Sequence, residues 1–355
     1  MSAANVPTPP PSPAFLDVFR QRAASSGGVL TFADFMSLAL YHPQLGYYRR
    51  DRPRVGRSAS TDFYTATSSG PLFGELIVAA CVKLLGPQAD PRRHTFVEIG
   101  AEPGCGILSD VAHPFAATHT LRVGEPLDLQ QFTNSTHSAT PSGPSPLIVF
   151  SNELFDAQPF RRFVTRSGQW RELGVTVNSD NQLHETELPT PFSPFTFHSS
   201  NLPPASAYPD GYHLDLPLAS VSLAAELAAQ PWSGLFIACD YGKSWRELTE
   251  ATPQGTARAY HQHQQSNDLL ARPGEQDLTC HVCWDWLADA LAHHGFAAPT
   301  VESQESFLIH HAGDFIAQLT AAEAPRLSPR KLSLMQLLHP ANMGQKFQVL
   351  HALRP

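Results

Sequence analysis

A chain of 355 residues exceeds the size at which one hydrophobic core usually stops growing, so one elaborated domain, or a core with a second lobe, is expected rather than tandem small modules. Apolar residues make up 42% and charged residues 16%, which excludes a mainly disordered chain. The formal net charge of -8 gives no general attraction to phosphate backbones or anionic lipid, and no apolar run approaches the ~20 residues that cross a bilayer, so nucleic acid and membrane are excluded as default partners.

The opening Met1 to Pro13 is rich in Pro, Ala and Ser and reads as a disordered tail. It lacks the basic and apolar regions of a secretion signal, which places the protein in the cytoplasm. Phe15 to Ala24 and Phe32 to Leu40 carry apolar residues at helical spacing, the second behind a plausible N-cap at Thr31. Tyr41 to Tyr48 then breaks the helix with Pro and Gly, its rings packing the turn. Leu72 to Leu85 is a further helix. It leads into the first clear buried strand, Thr95 to Gly100.

From Ile107 to Phe115 the pattern begins like a helix and meets Pro114 early; Thr120 to Val123 is a short strand ending at Gly124-Glu125. Asn134 to Pro146 reads as a Ser/Thr/Pro-rich loop. Leu147 to Ser151 and Gly234 to Asp240 are two more buried strands, separated by helical segments such as Leu218 to Ala229. Strands of this kind predict a mostly parallel sheet covered on both faces. Phe160 to Thr186 alternates like antiparallel strands, and with the Pro-rich Leu188 to Asp210 it forms an excursion from that sheet. A helix over His281 to His294 and a strand within Lys346 to Leu353 complete the picture.

The five cysteines, an odd number without an export signal, read as reduced thiols. Cys280 and Cys283 form a CxxC with no second ligand pair for zinc. The 17 histidines include the pairs His261 and His263, His293 and His294, and His310 and His311, none in an HExxH arrangement; no metal is expected.

Chemistry concentrates where buried strands end. Glu98-Ile-Gly-Ala-Glu-Pro-Gly104 joins a strand to the next segment at a point where open parallel sheets bind ligands, and its glycines let the backbone approach a cofactor. Glu125 follows the next strand, placed to bridge two ribose hydroxyls or to sit as solvated surface. Ser151-Asn-Glu-Leu-Phe-Asp156 brings an amide and two carboxylates to a third strand end, with Asn152 also a candidate helix cap. Cys239-Asp-Tyr-Gly242 repeats the arrangement, and the loop from Gly255 to His263 offers Arg258, Tyr260 and His263 to a cleft.

In order along the chain, Tyr41-HPQLGYY, Thr61-DFYTA, Phe73-GE, Glu98-IGA, Ser151-NELFDAQPF, Asp240-YG, Gly255-TARAYHQH, Pro273-GEQDLTCHV and Met343-GQKFQVL resemble the MidA-like family, from about residue 32 to 350. That family includes mitochondrial complex I assembly factors that methylate arginine on a partner protein. The resemblance implies a class I, Rossmann-like α/β methyltransferase fold with an N-terminal helical region, an inserted α+β lobe and S-adenosylmethionine at the sheet edge. It implies a protein substrate with arginine N-methylation as the reaction, and it adds Thr65 and Ala66 to a cofactor set of Glu98, Gly100, Ala101, Gly104, Glu125 and Asn152. Glu153 and Asp156 are the expected guanidinium-binding, proton-accepting pair, with Asp240, Tyr241 and His263 shaping the acceptor pocket. The division expected is a tail over 1–13 and a methyltransferase domain over 14–355. Within it, 14–90 is the helical region, 91–160 and 212–245 the core, 161–211 and 246–285 the inserted or substrate-side segments, and 286–355 the C-terminal part of the core.

Three departures from the family pattern surround that site: Glu102 at a glycine position, or inserted ahead of Gly104-Cys-Gly106 as the closing pair, a short stretch from Ile107 to Pro146, and Thr65-Ala-Thr-Ser where the family has Thr-Ala-Pro-Glu. They leave two readings, a methyltransferase with a rebuilt cofactor loop or a degenerate scaffold acting as a protein-binding assembly factor.

Overall fold

Buried apolar strands decide the architecture. The computed structural model describes residues 10–50, 54, 56, 61–62, 70–101, 106–122, 125–133, 145–188, 202–324 and 328–355. In chain order its elements are α1 (Pro13–Ala23), β1 (Val29–Thr31), α2 (Phe32–Tyr41), α3 (Pro71–Leu85), β2 (Thr95–Ile99), β3 (Ala117–Leu121), β4 (Leu147–Asn152), β5 (Arg161–Arg166), β6 (Gln169–Val177), β7 (Leu183–Glu187) and β8 (His213–Leu216). There follow α4 (Leu218–Ala229), β9 (Gly234–Asp240), β10 (Gly242–Lys243), α5 (Trp245–Glu250), β11 (Arg258–His261), β12 (Gln264–Ser266), β13 (Asp277–Thr279), β14 (Val282–Cys283), α6 (Trp284–His293), β15 (Ala297–Ser303), α7 (Gln304–Ala322), α8 (Pro329–Leu338) and β16 (Gln348–Arg354).

The central sheet has the order β15-β16-β9-β4-β2-β3. β2, β3, β4 and β9 pair in parallel, while β16 runs antiparallel to both β9 and β15. Every residue of β2 and β9 is buried, and alternate side chains feed opposite layers. Val97, Ile99, Leu147, Val149 and Phe236 pack with α4 and α6. Phe96, Ile148, Phe150, Leu235 and Ile237 pack with α3, α7 and α8. This two-sided burial is why these strands are continuously apolar. It is the mostly parallel α/β sheet expected from the sequence.

A second, antiparallel sheet joins β1, β6, β5 and β8, with β7 added to β6. It packs over its own core of Phe15, Phe19, Phe32, Phe35, Tyr47 and Phe160. The N-terminal region is therefore not purely helical. Gly27 and Gly28 turn the chain with φ of +68 and +85, and Val29-Leu-Thr31 then pairs with Gly174 to Thr176. Helix α1 begins at Pro13 with Ser12 as its cap, so the order starts before the expected end of the tail. Thr31 caps α2 by accepting the Asp34 N–H.

The helix expected from Ile107 is absent. Residues 107–110 form isolated turns, with Ser109 N–H on Gly106 O and Val111 N–H on Leu108 O. Helix α3 presses on this segment: a Cβ at Gly74 would lie 2.2 Å from the Ile107 carbonyl oxygen. Pro114, which has no N–H to give, closes the stretch. Strand β3 begins at Ala117, earlier than Thr120, because its register on β2 starts at Thr95↔Ala117. Cys81, Cys239, Cys280 and Cys283 are buried free thiols. Burial pushes the Cys283 thiol up to about 12, which makes it an unreactive core group. Among the described residues no helix is long and apolar enough to cross a membrane.

Candidate active site

Parallel pairing in the registers Ile99↔Ser151 and Asn152↔Cys239 delivers the carboxyl ends of β2, β4 and β9 to one edge of the sheet. At the first of these, Gly100 leaves β2 with φ +87 while its N–H donates to Leu121 O at 2.8 Å. A side chain there would be strained by the backbone alone, and its Cβ would sit 3.0 Å from Leu154. Ala101 follows, buried. Glu98, only 4% exposed, accepts the Ile107 N–H at 2.8 Å, so its carboxylate folds the segment after the turn back onto the strand. Burial raises its pKa to about 7, against the opposing pull of that hydrogen bond.

Beyond β3, Glu125 is exposed and accepts the Arg122 N–H at 2.8 Å, closing a surface turn. Asn152 ends β4. Its amide nitrogen donates to Glu153 Oε1 at 3.1 Å, while its Oδ1 and the neighbouring Ser151 Oγ are buried without a partner. Two such orphans at a strand end, beside a glycine turn, fit a bound ligand that brings its own polar groups. Glu102, Gly104, Thr65 and Ala66 lie outside the described residues.

The chain then takes a left-handed step at Glu153, φ +53, with its N–H on Cys239 O at 2.9 Å. That conformation is costly for a residue with a Cβ, and such strain concentrates at functional sites. It turns Glu153 and Asp156 toward the end of β9. Asp240 is fully buried: Oδ2 accepts the N–H groups of Phe155 at 2.8 Å and Asp156 at 3.3 Å, and Oδ1 accepts that of Tyr241 at 2.8 Å.

Burial raises the Glu153 pKa to about 8, helped by the charge of Asp240 and opposed by the Asn152 amide. Burial likewise lifts Asp240 to about 7, with the three backbone donors pulling the other way. Asp156 rises well above the usual carboxylate range through burial and then the charges of Asp240, Glu153 and Asp277. Like charges held this close cannot all ionise, so the group keeps a proton near neutral pH. Among the described residues no salt bridge reaches Glu153, Asp156 or Asp240.

A fourth acid, Asp277 at the start of β13, was not among the residues nominated from the sequence. It is buried, accepts the Tyr48 hydroxyl at 2.9 Å, and acts electrostatically on Glu153 and Asp156. Tyr48 stacks on Tyr41 with ring centroids 5.5 Å apart, and the Tyr41 hydroxyl donates to Ala157 O at 2.6 Å. Tyr241 packs its ring 4.0 Å from that of Phe347, and burial with the charges of Glu153 and Asp156 raises its pKa. Tyr260 feels Asp156, Asp277 and Glu153 in the same sense. The signals for Asp277, Tyr41 and Tyr48 were in the sequence, inside Pro273-GEQD and Tyr41-HPQLGYY, as a lone acid and as packing rings.

His263 takes a different place. It lies exposed at the tip of the β11–β12 hairpin with φ +61, its N–H on Asp62 O at 2.7 Å and its Nε2 3.3 Å from Thr61 Oγ1. Asp62, fully buried, binds the Tyr47 hydroxyl at 2.7 Å and the Gln262 N–H at 3.0 Å, which ties the hairpin to the N-terminal aromatic turn.

The site therefore joins a glycine turn with unpartnered polar atoms to a largely buried acidic cluster with tyrosines around it. A crystal structure of a COG1565 superfamily member from Burkholderia thailandensis, bound to S-adenosyl-homocysteine, superposes with a TM-score of 0.80 at 24% identity over 98% of this chain and 95% of that one, which identifies a methyltransferase fold. The protein arginine methyltransferase NDUFAF7 of Danio rerio mitochondria is 25% identical over 92% of this chain and 84% of its own length. Its Homo sapiens counterpart is 24% identical over 91% and 79%. These relatives are mitochondrial by name, which overturns the cytoplasmic placement; lack of a secretion signal had spoken only against export. The family model described as "Putative S-adenosyl-L-methionine-dependent methyltransferase" matches residues 124–301, half of the chain. The chain therefore belongs to that family and is a methyltransferase that uses S-adenosylmethionine.

Proposed function

We propose that this chain methylates an arginine side chain of a protein. The observation that carries the reading is the group of half-buried Glu153 and buried Asp156, Asp240 and Asp277, with no cation against the first three among the described residues and with Tyr41, Tyr48, Tyr241 and Tyr260 around it. A planar guanidinium supplies the missing charge and several donors in one plane, and aromatic rings favour it on their faces. The arginine methyltransferase names of the relatives support the same substrate.

S-adenosylmethionine supplies, when bound, a methyl group on a positively charged sulfur. Gly100, Ala101, Asn152 and Glu98 are its candidate holders among the described residues: Gly100 by admitting the ligand to the backbone, Asn152 through its free Oδ1, and Glu98 by fixing the turn. Glu125 is the candidate for the ribose. Thr65, Ala66 and Gly104 complete the cofactor set by family resemblance. Glu153 and Asp156 orient the guanidinium, and one of them takes the proton that the nitrogen loses as its new N–C bond forms. Asp240 anchors the Phe155–Asp156 turn by accepting its backbone N–H groups, and Tyr241 walls the site. His263 belongs to the outer rim, on the hairpin. Residues 161–211 and 246–285 are assigned to the substrate side of the core of 91–160 and 212–245, except that β8 (His213–Leu216) pairs with β5 and so belongs to the antiparallel sheet.

Methyl-tritiated cofactor with arginine-bearing and lysine-bearing test peptides decides the matter. Methylarginine in the hydrolysate, reduced by about 10²-fold or more in Glu153→Gln, is expected. Label on another residue type, or full activity in that variant, would refute the reading.

A further inference from the structure

The fold gathers another polar cluster that shares no residue with the acidic pocket. Glu302 lies near the end of β15, and the pairings Glu302↔Val349 and Thr300↔His351 put its side chain and that of His351 on one face of the sheet. Helix α7 crosses that face. His311 Nε2 stands 2.8 Å and His351 Nε2 3.2 Å from the same oxygen, Glu302 Oε1. One ligand atom from each of the three residues lies within 4.8 Å of the others. The two imidazoles meet edge to face with centroids 5.1 Å apart, and Phe307 packs against both rings.

Two donors at about 2.0–2.1 Å from a tetrahedral zinc ion stand about 3.3 Å apart. The spacing about Glu302 Oε1 is within half an ångström of that, so side-chain shifts alone close the triad on an ion. The other oxygen, Oε2, is held by Ser306 Oγ at 3.1 Å and by His310 Nδ1 at 2.6 Å, the outer support that metal-binding carboxylates commonly have. The three side chains are 12 to 19% exposed, largely shielded from solvent without being sealed from it. Two imidazoles and a carboxylate suit zinc and disfavour magnesium or calcium, which prefer all-oxygen sets.

We propose that Glu302, His311 and His351 form a zinc site that pins α7 to the β15–β16 edge of the sheet. Its ligands come from three elements, so the ion acts as a staple between helix and strands. The test is calorimetric titration of the full chain with zinc, paired with visible absorption after cobalt substitution. The wild type, His311→Ala, His351→Ala, Glu302→Gln and the distant double variant His293→Ala/His294→Ala are compared. One zinc per chain is expected, with affinity lowered by about 100-fold or more in each ligand variant and unchanged in the double variant. Cobalt bands should appear in the wild type and vanish with the ligands. If His351→Ala fails to fold, Glu302→Gln keeps the size and the imidazole hydrogen bonds while removing the charge, and carries the same expectation. No zinc uptake by the wild type, or uptake that survives the ligand substitutions, would show a histidine–carboxylate hydrogen-bond cluster and overturn the proposal.

Discussion

Replacing Glu98 by Gln separates the cost of burying a charge from the value of a hydrogen bond. The carboxyl is 4% exposed, holds the Ile107 N–H, and has its pKa raised from 4.5 to about 7. Because the folded value lies above the unfolded one, the contribution of the neutral acid is fully present below pH 4.5 and is lost as pH rises through about 7. At about 1.36 kcal/mol per pH unit, the loss by pH 8 is about 3 kcal/mol. The Gln carbonyl can accept the same N–H, while its extra amide protons cost about 1 kcal/mol where they find no partner. Urea unfolding of the cofactor-free protein should therefore show Glu98→Gln more stable than wild type by about 2 kcal/mol at pH 8, and no better than wild type at pH 5. Parallel pH profiles, or a variant less stable at pH 8, would mean that the carboxylate is stabilised in its charged form and that burial does not dominate.

Three further outcomes are expected. With Glu153 near 8 and Asp240 near 7, the pocket gains negative charge as pH rises, so kcat/KM for an arginine peptide should climb through pH 7 to 8 and then level; a profile flat from pH 6 to 9 would contradict this. Gly74→Ala drives a Cβ to within 2.2 Å of the Ile107 carbonyl oxygen, and should cost about 1–3 kcal/mol in unfolding and weaken S-adenosylhomocysteine binding in calorimetry. Unchanged binding would uncouple α3 from the cofactor turn. Asp62→Asn leaves either the Tyr47 hydroxyl or the Gln262 N–H without its acceptor, and should cost about 1–3 kcal/mol, read as a lower denaturation midpoint.

How far the sequence disclosed this molecule follows from the kind of signal each part carries. Strand β9 and helix α4 were legible residue for residue, because continuous burial and helical periodicity are strong local patterns. The stretch after Gly106 was misread as a helix since its apolar spacing is helical, while the force that keeps it open, the contact with Gly74 of α3, is tertiary. Helix α7 went unread although it has 19 residues: two adjacent histidines, Gly313 and a non-helical Ala312 interrupt its periodicity. At the site, Glu153, Asp156 and Asp240 announced themselves as acids at the ends of buried strands. Asp277 lies inside the Pro273-GEQD motif but on a strand of three residues, too short to show a periodicity that marks its burial, and the convergence of His311 and His351 on Glu302 exists only once β15 and β16 have paired.

The pairing of Asn152 with Cys239 also bears on how the molecule comes into being. Loop-closure entropy must be met before such distant segments reward each other, so the acidic cluster assembles only where β4, β9 and β13 have come together. Until then Glu153, Asp156, Asp240 and Asp277 are four ordinary, independent acids on a flexible chain. A nascent or partly unfolded molecule thus lacks the acidic cluster on which the proposed arginine reading rests.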